Sequence, residues 1–197
     1  MRHHQLNLPN RPMRARIYGG VGAAGSRGLP LSRLGVRIAM TYILAGERDP
    51  DPKGSFDRYW EYLQVNQARF PQGAFALANS SWYFDAQNHR CPHDSWLEWV
   101  KVSESASGSS NENREISITI RLLGAYQDGW IEFQYPKVIS YRLDISNGAA
   151  GHQDWRYDEF RLGDDGSLFH EIEWAGTGNN GRWLFQATDV EFNWIPK

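Results

Sequence analysis

The sequence predicts an α+β fold: two short N-terminal helices followed by a mainly antiparallel sheet of about seven strands, arranged as a bent meander or small sandwich. Three observations predict it. Apolar residues between Phe56 and Leu77 recur at three- and four-residue steps, whereas from Trp96 onward they alternate. The two periods are segregated along the chain, which excludes the interleaved helices and parallel strands of an α/β protein. Turn formers separate the alternating runs at short intervals, and short connections impose antiparallel pairing.

Ser55 is placed to cap the first helix, whose apolar positions are Phe56, Tyr59, Trp60, Leu63 and Phe70. Pro71 closes that helix and suits the first turn of a second one over residues 71–79, carrying Phe75 and Leu77. Past Cys91, Trp96–Val102 reads as a strand, and the Ser/Gly/Asn-rich stretch 103–113 reads as a flexible loop. Ile116, Ile118, Ile120 and Leu122 give the clearest strand. Ile131, Phe133 and Tyr135 follow, and Pro136 ends that run or makes a bulge before Ile139, Tyr141 and Leu143. Trp155–Leu162 and Leu168–Trp174 flank the turn formers Gly163–Gly166. The last strands are Trp183–Ala187 and a run with Val190, Phe192 and Trp194. Most of the nine tryptophans alternate with other apolar residues and are expected to fill the core.

The 197 residues suit one domain able to bury a core without staples. No apolar run reaches the roughly 18 residues of a membrane-spanning helix, and the single Cys91 closes no intrachain disulfide. The first feature excludes a transmembrane protein and the second a disulfide-bridged secreted scaffold. Charge is unevenly distributed. Residues 1–46 hold seven Arg and no acid, while residues 47–197 hold 14 basic against 23 acidic side chains, a net of −9. Residues 1–38 therefore read as a disordered basic extension and residues 39–197 as the folded domain. A transit peptide and a basic arm are alternatives for the extension, but translated upstream sequence before a natural start at Met40 is preferred. Gly20-Val21-Gly22-Ala23-Ala24-Gly25 matches the dinucleotide fingerprint by chance, since Gly28 and Pro30 would break the helix it needs. No cofactor is expected.

The densest polar cluster is His89-Arg90-Cys91-Pro92-His93-Asp94-Ser95. In an extended segment His89, Cys91 and His93 would face one way, as zinc ligands with His152 or His170 completing the set. Cys91 could instead be a nucleophile with His93, His170 or His152 as base and Asp94 or Asp154 as orienting carboxylate. Glu171 and Glu173, two apart on one strand face, have the spacing of an inverting glycosidase pair. A structural reading outweighs all three. Asp94 would cap the strand entry as an Asx turn, Cys91 and His93 would be buried where helices meet sheet, and Glu132, Glu159, Glu171, Glu173 and Glu191 would line a solvated face.

Cys91-Pro92-His93-Asp94-Ser95-Trp96-Leu97-Glu98 resembles a His-Asp motif of small bacterial proteins of unknown function. Ile120–Tyr126 and Tyr157–Phe160 add to that likeness, and a looser His-Asp motif before a strand occurs in immunity proteins of bacterial toxin systems. The resemblance implies a bacterial cytoplasmic protein and a structural motif, with no catalytic residue to carry over. The expectation is a non-enzymatic interaction protein, immunity-like or regulatory, whose acidic body suits a basic protein partner rather than a membrane or nucleic acid. A hydrolase or metal protein using Cys91, His93 and His170, and an aromatic-rich carbohydrate-binding module, are the alternatives.

Overall fold

The computed structural model describes residues 40–46, 50–145, 151–175 and 181–197. The extension and the Gly20–Gly25 motif lie outside the described residues. Helix α1 spans Pro52–Asn66, runs into a 3-10 turn at Gln67–Arg69, and precedes α2 at Gln72–Ala78. The cap of α1 is Asp51, not Ser55: its carboxylate accepts the Gly54 N–H at 3.0 Å, and Pro52, with no N–H to leave unbonded, fills the first turn. Ser55 is buried and accepts from Arg58 at 3.1 Å. Pro71 precedes α2 and offers no capping side chain. Asp189 caps α2 from 116 residues away, its two carboxylate oxygens accepting the Gly73 and Ala74 N–H groups at 3.0 Å each. The backbones approach so closely there that a Cβ on Gly73 would lie 2.0 Å from the Val190 carbonyl oxygen.

Seven antiparallel strands follow: β1 (Trp96–Ser107), β2 (Asn113–Leu123), β3 (Gly129–Leu143), β4 (Trp155–Leu162), β5 (Leu168–Trp174), β6 (Gly181–Ala187) and β7 (Glu191–Pro196). They form one sheet in the order β1-β2-β3-β6-β5-β4, and β7 pairs with the first half of β3 while β6 pairs with the second. Stretch 103–113 is a loop only over residues 108–112. β1 and β2 pair through Ser107↔Asn113, because backbone hydrogen bonds hold a ladder whose exposed side chains need not be apolar. Residues 131–135 and 139–143 belong to one strand, which shifts register against both neighbours near Pro136 and Ile139.

The core gathers Tyr59, Leu63, Ala74, Leu77 and Tyr83 from the N-terminal part with Ile118, Ile120, Leu122, Ile131, Phe133, Trp155, Phe160, Ile172 and Phe185 from the sheet. Trp155, Trp174 and Trp183 are the tryptophans buried within it, whereas Trp60, Trp96 and Trp99 are exposed.

The two sheet edges are treated differently. β1 and β4 meet at a single bridge, Trp96↔Asp154, flanked by Asp94 N–H to the Trp155 carbonyl (2.8 Å) and Trp155 N–H to the Ser95 carbonyl (2.9 Å). Beyond it, tyrosines of α1 stand in for a strand along β4. The Tyr59 hydroxyl accepts the Phe160 N–H (2.8 Å) and donates to the Phe160 carbonyl (3.1 Å), and the Tyr62 hydroxyl accepts the Leu162 N–H (2.8 Å). No such partner lies along β1 past Trp96 among the described residues.

Candidate functional site

The His89–Asp94 segment is a succession of turns, closed by Asn88 N–H to the Asp85 carbonyl (2.8 Å) and Cys91 N–H to the Asn88 carbonyl (2.9 Å). Pro92 and the left-handed Asp94 (φ +61°) interrupt the extended geometry that a shared metal site would require. The three proposed ligands accordingly part company. His89 stacks on Tyr126 (4.1 Å, 5°) with Nδ1 2.5 Å from Asp128. Cys91 is buried and donates to the Tyr83 carbonyl at 3.0 Å. His93 meets the edge of Tyr157 (5.2 Å), its Nδ1 3.1 Å from Asp94 Oδ1. No group of three or more His, Cys, Asp or Glu is arranged to hold a metal among the described residues. Asp94 secures the strand entry through its backbone N–H, not as an Asx turn.

Burial pushes the Cys91 thiol up to about 12, so the thiolate a nucleophile needs is scarce at neutral pH. Cys91, His93, Tyr83, Trp155 and Asp158 surround a cavity of about 20 Å³, room for one water at most. Asp158, which sequence reasoning missed, is the hub beneath it. Its Oδ2 accepts from Tyr83 (2.7 Å) and faces His170 Nε2 (2.9 Å), and its Oδ1 accepts from Trp155 Nε1 (3.1 Å). His170 Nδ1 lies 2.6 Å from the Tyr135 hydroxyl. Burial holds both phenols well above their ordinary titration range, so Tyr83 and Tyr135 are donors. Tyr135 then donates to Nδ1, and one proton on Nε2 completes the chain to the carboxylate. His170 thus reaches the Cys91 neighbourhood only through Asp158. The relay is a closed, satisfied buried network without room for a substrate.

The opposite face of β4–β6 is not the solvated surface expected of its glutamates. Glu159 is fully buried, one carboxylate oxygen accepting the N–H groups of Tyr42 (3.0 Å), Ile43 (2.8 Å) and Leu44 (3.2 Å), the other 3.0 Å from Arg161 Nε. Arg161 pairs onward with Glu171. Arg182 bridges Glu171 (3.2 Å) and Glu173 (2.8 Å), and Arg156 lies 3.5 Å from the buried Glu173. Both members of the supposed glycosidase pair are therefore held by arginines, leaving neither as a free acid or nucleophile. The Glu–x–Arg and Glu–x–Glu spacings on neighbouring strands, with Arg182 on the next, were the visible signal of this ladder. Desolvation on burial raises the Glu159 carboxyl, against the opposing pull of Arg161 and the backbone donors. His152, a candidate fourth ligand, packs against Trp174 and Trp183 and joins no group of metal ligands among the described residues. Asp154, a candidate orienting carboxylate, sits at the β1–β4 bridge.

Compared with family models, curated proteins and solved structures, the chain matches none.

Proposed function

We propose that this is a non-enzymatic interaction domain of the bacterial cytoplasm, immunity-like or regulatory, that receives an extended segment of a basic protein partner along the outer edge of β1. One observation carries the reading: the fold seals the β4 edge with Tyr59 and Tyr62, whereas among the described residues the outer edge of the twelve-residue β1 has no partner past its first bridge. An open edge offers backbone N–H and C=O groups in register for an added strand, and Trp96, Trp99 and Val102 stand exposed along it for side-chain contact. The excess of acids over bases after residue 46 favours Lys and Arg on the incoming segment. Against the hydrolase and metal readings stand the buried protonated Cys91 and the closure of the His170 network.

Selection from a displayed library of random peptides tests this. The expected enrichment is for Lys- and Arg-bearing extended sequences that protect β1 amides from hydrogen exchange, bind less tightly as salt rises, and are lost in Trp99→Ala and Val102→Lys. Peptides that protect other elements, carry net negative charge, or survive both substitutions would refute the reading.

A further inference from the structure

Trp60 sits one turn beyond Phe56 in the apolar stripe of α1, yet 43% of it stays exposed. Its ring tilts against the half-buried Phe56 (5.7 Å, 45°), and Phe84 meets Phe56 edge-on (5.5 Å, 74°). These three rings wall a cavity of about 540 Å³, within the range of small-molecule sites. The facing wall is polar: Asn79, Ser80, Ser81 and Asp85 come from the segment that leaves α2. Each of these side chains is at most partly spent within the protein. Asn79 gives its carbonyl oxygen to Gln64 Nε2 (2.8 Å), Ser80 its hydroxyl proton to the Leu77 carbonyl (2.7 Å), and Asp85 one carboxylate oxygen to the Gln87 N–H (3.0 Å). An amide NH₂, a hydroxyl oxygen and a second carboxylate oxygen remain on the lining, beside the Ser81 hydroxyl.

We propose that this cavity binds a neutral pyranose of gluco configuration, such as a β-glucoside residue. Its C–H faces lie against the aromatic walls, and its hydroxyls exchange hydrogen bonds with Asn79, Ser81 and Asp85. The lining selects against other classes. An anion would meet the Asp85 carboxylate, while the Lys53 ammonium at the cavity rim is already taken by Asp57 at 2.6 Å. A cation would meet that same ammonium. A wholly apolar molecule would strip water from Asn79 and Asp85 and return no hydrogen bond. Configuration follows from the walls. Trp60 and Phe84 are inclined to Phe56 by 45° and 74°, so the ligand meets aromatic surface on more than one side. All-equatorial hydroxyls leave both faces of the sugar C–H only, whereas an axial hydroxyl would be pressed onto a ring without a partner. No residue of β1 lines the cavity, so the proposal goes beyond the edge-binding reading and stands or falls without it.

Methyl β-glucoside titrated into the full-length ¹⁵N-labelled protein tests the proposal through the Trp60 indole N–H and the Asn79 side-chain amide. Their loss in Trp60→Phe and Asn79→Ser, both at exposed positions, assigns the two signals. Both are expected to shift together and saturate at about millimolar glucoside, while the indoles of Trp96 and Trp99 hold still. Methyl β-galactoside and methyl β-mannoside, each with one axial hydroxyl, should bind about tenfold more weakly, as should the anionic methyl β-glucuronide. Trp60→Ala and Asp85→Asn should each weaken the glucoside about tenfold, read at the Asn79 amide; the second keeps the carbonyl oxygen that holds Gln87. The proposal is overturned by silence of both signals, by an equal response to all the sugars, by cyclohexanol binding as tightly as the glucoside, or by unchanged affinity in the two variants.

Discussion

Cys91 illustrates how a residue type that invites a chemical reading is decided by its surroundings. With the thiol pushed up to about 12 and its proton given to the Tyr83 carbonyl, labelling by a thiol reagent at pH 8 should be at least about tenfold slower in the native state than after unfolding. Equal rates would mean that the sulfur is open. Asp158 is the residue whose loss should cost most, because three donors converge on it away from water. Asp158→Asn turns an amide N–H toward one of those donors and removes the charge; a loss of about 3 kcal/mol in urea unfolding is expected, and a change below about 1 kcal/mol would contradict the network. Glu159 makes a pH prediction. Its carboxyl is raised in the folded state, so the folded chain binds a proton there more readily than the unfolded one. Its contribution to stability therefore declines as pH rises from the ordinary glutamate value of 4.5 through the raised one. Denaturant midpoints measured across that window should fall less steeply in Glu159→Gln than in the parent.

The elements show where local pattern is decisive and where it is overridden. The helical steps around Tyr59 and Leu63 and the alternation from Ile116 to Leu122 were legible because one face of each element is buried. The hairpin across 103–113 was not, since its Ser, Glu and Asn side chains are exposed on both faces and leave no apolar rhythm to read. The helix start was misplaced by four residues because a serine and an aspartate both accept from backbone N–H groups, and the adjoining Pro52 decides between them. Substitutions at the sealed edge belong to this scale. Tyr59→Phe strips Phe160 of both its hydrogen bonds, so about 1–3 kcal/mol of stability and the hydrogen-exchange protection of the Phe160 amide should go together. Tyr62→Phe frees only Leu162 N–H and should cost less; intact protection in both variants would mean that the hydroxyls do not cover β4. Asp189→Ala removes the remote cap of α2 and should cost about 1–2 kcal/mol in the same assay.

At the scale of the molecule, the order of helices and strands could be anticipated, but the polar interior could not. Tyr83, Asp158, His170 and Tyr135 come from four separated segments, and Glu159 is held by residues 115–117 positions earlier. No window along the chain contains such groupings, so candidate chemistry was sought among neighbours at His89–Asp94 and not among distant partners. That same span governs the making of the protein. A ribosome delivers Tyr42–Leu44 and α1 long before β4 exists, so these segments wait with their tyrosines and amide groups unanswered while some hundred residues are added. The turn at Tyr42–Leu44 is the first of the described segments to be synthesised and among the last to be secured, and any pause in translation ahead of residue 159 lengthens the interval in which it is exposed to proteases and chaperones.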